Sequence, residues 1–569
     1  MKRTIYQSFK IIVAIFFLFL PAEVRTQPSM DAKIRQTNEH YELGDWIGYS
    51  SSRYINSIAI GKEYVYFATT GGITRYHFYE DRWEFPWTTC NGLAHNQIIC
   101  VAYDENTNTL WCSTPVGVSY YEAFSRLWHN LYADELNFSP QDWILSIGFT
   151  NSDVWLETRD GNLYQSSTQF GNYYFEEKNN TDQEKIEWFG TRGKSTTELP
   201  ILFMRDGYLF DSRGTITDLN LRHFQVTYHV FDRWGYLWIA TWGLGAAKAD
   251  TRTQQLELLP FGLYQANATA LVFDEEQFWI GGWDEQYYEG TNWGQENGIT
   301  LWERDRNRWS FFQAKYTTDF NNDLTYSIKI DGSSLWIGTD QGLCEYHQTR
   351  NRWYTFDQTY RLRSDKIYDV AFNQEYIFVA NTSGIDRLTK KSIHSDSVEV
   401  VFVAYRHLRE REVYNIEIQG DSLWAGTQAG AYLYNVRNDS GFFFEGDWSP
   451  RTRPVTAVSC SPSWVWFGTD DEVDVYDLKQ KKWLPSPARL TSHNARVNYI
   501  AATDEVVFVA TTEGVWKFDP KRNYWKQFTR LDGLISDLVN WIHIDGDYVW
   551  FATNDGMCRF YWNSPMRID

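Results

Sequence analysis

The sequence predicts an all-β protein: tandem β-propellers of about twelve four-stranded blades, with an N-terminal strand closing the last blade. Three observations predict it. First, one short pattern recurs, clearest as Leu-Trp-Ile-Gly-Thr at 335–339, Leu-Trp-Ala-Gly-Thr at 423–427 and Val-Trp-Phe-Gly-Thr at 465–469. Its copies end at Thr69, Thr114, Thr158, Thr241, Gly282, Thr339, Asn381, Thr427, Thr469, Thr511 and Thr553, with a worn copy near Arg205. Most ends therefore lie 41–47 residues apart, the length of one four-stranded sheet in a propeller. Second, glycine follows the pattern's end by three residues, at Gly72, Gly117, Gly342, Gly430, Gly514 and Gly556, where a tight hairpin needs positive φ. Third, the two ends are complementary. The last repeat stops after a third strand, and Asp45-Trp-Ile-Gly-Tyr49 reads as an unattached fourth. Pairing the two would protect an exposed edge.

In chain order, residues 1–26 read as a secretory signal. Lys2, Arg3 and Lys10 precede or flank the ten-residue apolar run 11–20, and cleavage is expected near Ala22 or Thr26. That run is too short to span a bilayer comfortably, and no later segment is apolar enough to do so. The closing strand follows at 43–49. A representative repeat, 91–128, contains a strand near 97–103, a polar turn, the Leu110–Thr114 strand, a Pro-Val-Gly turn, a third strand and Trp128 on a fourth. The residue before the pattern's end is usually small, so the next sheet can pack against it. The aromatic at the pattern's second position fills the wedge between sheets. Twelve blades exceed the usual number for one ring. The expected division is a first propeller over 41–318 and a second over 319–569, parted at the polar segment 319–323. A five-plus-seven split and one ring inserted into the other remain open.

Composition narrows function. The net charge of −20 repels phosphate backbones and anionic membranes, and no basic patch offsets it, so nucleic acid and stable membrane insertion are excluded as expectations. The six cysteines fall mostly inside expected strands, which argues for buried free thiols. A cross-strand bond between Cys100 and Cys112 is the alternative. Cys344 and Cys558 share one repeat position and read as small buried fillers.

The blade pattern resembles the two-component regulator propeller repeat. The residues that carry it are Asp532-Gly-Leu-Ile-Ser-Asp-Leu-Val539 leading to Val549–Thr553 and Gly556–Phe560, and Asn91-Gly-Leu-Ala-His-Asn-Gln-Ile98 leading to Leu110–Thr114. The resemblance covers nearly the whole mature chain. It implies kinship with periplasmic sensor propellers that bind glycan fragments and with a cell-surface propeller of type IX secretion. The sequence is expected to depart from both, with no transmembrane helix, kinase region or C-terminal sorting domain, so a partner is expected to carry any signal.

In a four-stranded blade, the strand 2–3 hairpins and the blade-to-blade links share one face, the expected binding face. The longest interval contains an insertion there that carries Trp283, Asp284, Glu285, Tyr287, Tyr288, Trp293 and Glu296, and the preceding blade places Trp242 in the equivalent hairpin. Rings could stack on a sugar's C–H face while carboxylates accept its hydroxyl protons. The alternative is a loop that seals the contact between propellers. Asp470, Asp471, Glu472 and Asp474 crowd another hairpin and could hold Ca²⁺, or form a solvated acidic turn. His95 and His493 occupy comparable inter-blade loops. No other cofactor is expected, and no HExxH, GxSxG or P-loop occurs. These residues point to an exported, periplasmic or surface-located propeller, non-enzymatic, that binds a glycan fragment or envelope protein in sensing or assembly. A carbohydrate-active lyase or hydrolase on the same scaffold is the alternative.

Overall fold

The computed structural model describes residues 41–565 except 43, 137–141, 169–172, 179–184, 206, 275, 284–297, 321–323, 396–397, 404, 445–452, 471 and 490–494. The described residues form eleven antiparallel-dominated sheets, nine of them four-stranded. In chain order the blades are 1 (55–87), 2 (100–132), 3 (144–190), 4 (203–259), 5 (268–313), 6 (325–356), 7 (367–403), 8 (413–443), 9 (457–489), 10 (497–528) and 11 (539–561). The strand Trp46–Tyr49 completes blade 11, pairing antiparallel with Gly556–Tyr561 in the register Trp46 to Phe560 and Gly48 to Cys558. The expected closure by the N-terminal strand is what the chain does.

The worn copy near Arg205 does not build a twelfth sheet. Phe203–Met204 adds a two-residue parallel edge to blade 4, and Leu209–Phe210 and Thr215–Thr217 extend the same sheet from its inner side. Turns at Gly207 and Gly214, both at positive φ, cut this stretch into strands too short to stand alone.

The repeated sequence features have specific uses. In six blades the terminal Thr closes its hairpin: Thr69, Thr114, Thr339, Thr427, Thr511 and Thr553 each donate Oγ1 to the carbonyl of the glycine three residues on, at 2.7–3.2 Å. The same oxygen accepts a backbone N–H inside the turn, as from Gln341 at 3.0 Å. The small residue before it is a steric necessity. A Cβ on Gly468 would lie 2.4 Å from Val497 of the next blade, and one on Gly426 would lie 2.6 Å from the Val455 carbonyl.

The innermost strands decide which blades share a ring. A β-bulge recurs at the second residue of these strands, between Ile55 and Ser57, Ala268 and Ala270, Val497 and Tyr499, and Val539 and Trp541. The bulged residue often latches onto the neighbouring blade. Asn56 donates to Ile98 O, Thr269 to Thr325 O, Thr456 to Val497 O and Asn498 to Val539 O, all at 2.6–2.8 Å. Two latches join blades distant in sequence. Thr227 donates to Ile55 O at 2.5 Å, returning blade 4 to blade 1, and Asn540 donates to Ala268 O at 2.8 Å, returning blade 11 to blade 5. The innermost strands of blades 5 to 11 adjoin in order, and that of blade 11 packs on that of blade 5.

The packing thus gives a four-sheet ring, blades 1–4, and a seven-sheet ring, blades 5–11 with the closing strand. The expected division between 318 and 319 does not follow this packing, because blade 5 is latched to both blade 6 and blade 11. Of the arrangements the repeats left open, insertion is the one formed: the smaller ring lies between the closing strand and blade 5. Aromatic rings seal the junction. Trp83 lies 4.8 Å from Phe261, which lies 5.5 Å from Trp309 and 6.4 Å from Tyr49 (centroid distances). Asn307 Nδ2 donates to Trp83 O at 3.1 Å. Arg53, in the linker, donates Nε to Gly243 O and stacks 3.7 Å over Tyr264.

All six cysteines are free thiols in the structure. The cross-strand bond between Cys100 and Cys112 is ruled out by register. Cys112 lies opposite Val101, not Cys100, so the two side chains leave the sheet on opposite faces and enter different core clusters.

Candidate functional site

In the seven-sheet ring the bulged position divides the blades into two groups. Blades 5, 9, 10 and 11 carry the latching Thr or Asn described above. Blades 6, 7 and 8 carry Tyr326, Tyr368 and Tyr414, which make no latch. These three rings form an arc at the axial mouth on the face of the strand 2–3 hairpins, with centroids 5.4 Å and 5.6 Å apart. All three are half-buried. Lys366 Nζ lies 5.5 Å from the Tyr326 ring centre and 5.1 Å from that of Tyr368, within cation–π range. Burial pushes the Tyr414 phenol up to about 12, with a hydrogen bond to Glu412 adding to it, so it remains a neutral donor. Arg496 lies near Tyr414 and works in the opposite direction.

At the other end of the same strands lies a cavity of about 440 Å³, within the size range of small-ligand pockets. Its polar lining comes from one register position, opposite the aromatic residue of the second strand: Lys329, Glu417, Ser459 and His543, with Ala371 and Ala501 between. Lys329 bridges three blades. Its Nζ lies 2.9 Å and 3.0 Å from the two oxygens of Asp369 and donates to Ile416 O at 3.3 Å. Asp369 is fully buried and also accepts from Asn415 Nδ2 at 2.7 Å and Ile416 N at 2.9 Å. The charge-assisted bonds satisfy a carboxylate that burial alone would penalise. Glu417 accepts from Cys460 N at 2.9 Å, yet burial pushes its carboxyl up to about 7, with Lys329 pulling the other way. Burial also lowers the His543 imidazole's basicity. Tyr499 stacks on Trp541 at 3.9 Å beside them. The cavity therefore presents Glu417, Ser459 and His543 around one internally paired cation, Lys329.

The small ring has a wider mouth of about 810 Å³ lined by Tyr103, Asp104, Glu105, Asp153, Lys185 and Glu187. Two of its four carboxylates are occupied in turns: Asp104 accepts from Asn106 N at 2.9 Å and Thr107 Oγ1 at 2.6 Å, and Asp153 accepts from Ser152 Oγ at 2.7 Å.

The residues singled out from sequence are placed as follows. Trp242 is half-buried and packs edge-on against Tyr54 of the linker at 5.1 Å, so it serves the junction between rings. Trp283 is half-buried and its N–H donates to Asn267 O at 3.2 Å. Asp284, Glu285, Tyr287, Tyr288, Trp293 and Glu296 lie outside the described residues, as do Asp471 and His493. Asp470 is exposed. Glu472 takes Arg453 Nη1 at 2.9 Å, and the buried Asp474 lies 3.6 Å from Nη2 of the same arginine. Among the described residues no group of three or more His, Cys, Asp or Glu is placed to hold an ion. His95 Nδ1 accepts from Gln97 N at 2.9 Å, a local turn contact. The tyrosine arc and the polar ring position were legible in principle: aligning the innermost strands places Tyr326, Tyr368 and Tyr414 where other blades carry Thr or Asn, and Lys329, Glu417, Ser459 and His543 where blades 7 and 10 carry Ala371 and Ala501.

No protein-family model matches the chain, and no curated protein matches it. Among solved structures it is similar to PorZ, a surface component of the type-IX secretion system of Porphyromonas gingivalis, at 15% identity and TM-score 0.45, over 89% of this chain and 74% of that one. It is also similar to the extracellular domain of the hybrid two-component system BT4673 from B. thetaiotaomicron, at 14% identity and TM-score 0.46, over 90% of this chain and 70% of that one. The corresponding domain of BT3049 from the same organism matches at 16% identity and TM-score 0.36, over 88% and 74%. These neighbours are the kinds of propeller that the repeat resembles. At these values the likeness carries no functional argument.

Proposed function

We propose that this chain is an exported, non-enzymatic β-propeller that binds a glycan fragment at the axial mouth of its seven-sheet ring, in sensing or in assembly of the envelope. The observation that carries the reading is the replacement of three consecutive latches by Tyr326, Tyr368 and Tyr414. Three blades forgo a bond that their neighbours use for stability and present aromatic faces instead, and such faces suit the C–H side of a sugar ring. Lys366, Glu412 and Arg496 supply polar groups at the edge for hydroxyls. The signal-like N-terminus supports export. Among the described residues no helix is long and apolar enough to cross a membrane. The test is isothermal titration of neutral and anionic oligosaccharides into the mature chain and into Tyr368→Asn. The expected result is saturable binding, without product release, that the substitution weakens at least tenfold. Binding of equal strength in both proteins would overturn the site. Release of shortened sugars would overturn the non-enzymatic reading.

A further inference from the structure

Two cysteines from different rings meet under the closing strand. Cys90 sits in a short 3₁₀ turn, Thr89–Asn91, at the end of blade 1, where Thr88 Oγ1 accepts its N–H. Cys558 lies in the third strand of blade 11, Gly556–Tyr561, and pairs with Gly48 of the closing strand. Both are buried in one core cluster with Trp46, Leu534, Ile535 and Phe560. A Cβ on Gly48 would fall 2.6 Å from Cys90 Sγ, so the Cys90 sulfur occupies the space beside Cys558 that Gly48 leaves free. Cys90 and Cys558 thus approach the same residue, Gly48, one through its sulfur and the other through strand pairing.

The other cysteines show that this pairing is specific. Cys344 holds the same repeat position as Cys558, but its sulfur meets Thr355 Oγ1 at 3.5 Å. Cys100 and Cys112 leave their sheet on opposite faces. The filler reading of this repeat position therefore fits blade 6, whereas blade 11 offers chemistry.

We propose that Cys90 and Cys558 form a disulfide that fastens the four-sheet ring to the closing blade of the seven-sheet ring, with Gly48 held beneath it. In the step, the two thiols lose two protons and two electrons as the S–S bond forms, and a disulfide oxidant, such as oxidised glutathione or a thiol–disulfide oxidoreductase, takes them up as two thiols. Burial raises the Cys558 thiol well above its ordinary range, so exchange proceeds while the closing strand is still undocked, and the finished bond is shielded from reductants. The bond joins residues far apart in sequence and constrains the unfolded chain accordingly. The proposal rests on the reading of export into an oxidising compartment.

The experiment refolds the full mature chain in a glutathione redox buffer, alkylates free thiols under denaturing conditions and maps peptides by mass spectrometry. The expected product is lighter by two hydrogens than the reduced chain and yields a linked peptide containing Cys90 and Cys558. Dithiothreitol should lower its Tm, and neither Cys90→Ser nor Cys558→Ser should respond. Recovery of both cysteines as separate alkylated peptides, or a bond at any other pair, overturns the proposal. The glutathione arm needs no export. A bond that forms there but is missing from protein isolated from its native envelope supports the pairing and overturns the export reading.

Discussion

Two halves of one ring differ by a single register position. In blades 10, 11 and 5 the bulged residue of the innermost strand is Thr or Asn, and in blade 9 Thr456 stands just before that strand; each bonds to the next blade's carbonyl. In blades 6, 7 and 8 the same residue is tyrosine and leaves that carbonyl to others. The contrast teaches where this scaffold is built for closure and where it is built for contact. The latched half contains the junction of the chain's ends, where a missing bond would open the ring. The tyrosine half is internally continuous in sequence, so blades 6–8 are held by their connecting chain and by the Lys329–Asp369–Asn415 network.

The comparison can be broken at the closure first. Trp46 is buried, stacks on Phe560 at 4.1 Å and fixes the closing strand, so Trp46→Ala should cost about 3–5 kcal/mol, read as a fall in denaturation midpoint. An unchanged midpoint would mean that the ring does not depend on its N-terminal strand. Asn540→Ala removes the latch between blades 11 and 5 and leaves a carbonyl unmet, with an expected loss of about 1–3 kcal/mol by the same measurement.

A pH titration sharpens the contrast from the channel side. Glu417 has its folded-state pKa raised to about 7 from 4.5. The native state therefore holds a proton that the unfolded chain releases between those values. Stability from this group is complete below pH 4.5 and declines as pH rises through 7. Glu417→Gln should flatten that decline and gain about 1–2 kcal/mol at pH 8, visible as a difference between the two Tm-versus-pH curves. Parallel curves would place the carboxyl in water.

Installing a latch in the tyrosine half is the most discriminating change and among the smallest energetically. Tyr326→Asn, Tyr368→Asn and Tyr414→Asn should each alter stability by less than about 1 kcal/mol, because the new bond offsets lost packing. Binding at the mouth should fall sharply. A large loss of stability instead would show that the tyrosines are structural. Last, Thr511→Val removes one hairpin closure and should cost about 1 kcal/mol wherever in the ring it is made. Hydrogen exchange at the Glu513 amide, which donates to the same hydroxyl at 3.1 Å, would report it.

The sequence by itself determined the sheet architecture and the closing strand. These depend on short-range features: a recurring strand pattern, a glycine at positive φ, a small residue at a close contact. It also marked the face of the strand 2–3 hairpins, where the tyrosine arc lies, although Trp242 turned out to serve the linker. Tertiary structure alone decided the division into four and seven sheets, because that division depends on bonds such as Asn540 to Ala268 and Thr227 to Ile55, between residues with no local relation. It decided likewise that Lys329, Asp369 and Glu417 meet, and that Cys90 faces Cys558. A repeat specifies its own sheet by local chemistry, but which sheets become neighbours around an axis is settled by long-range packing that no single period records.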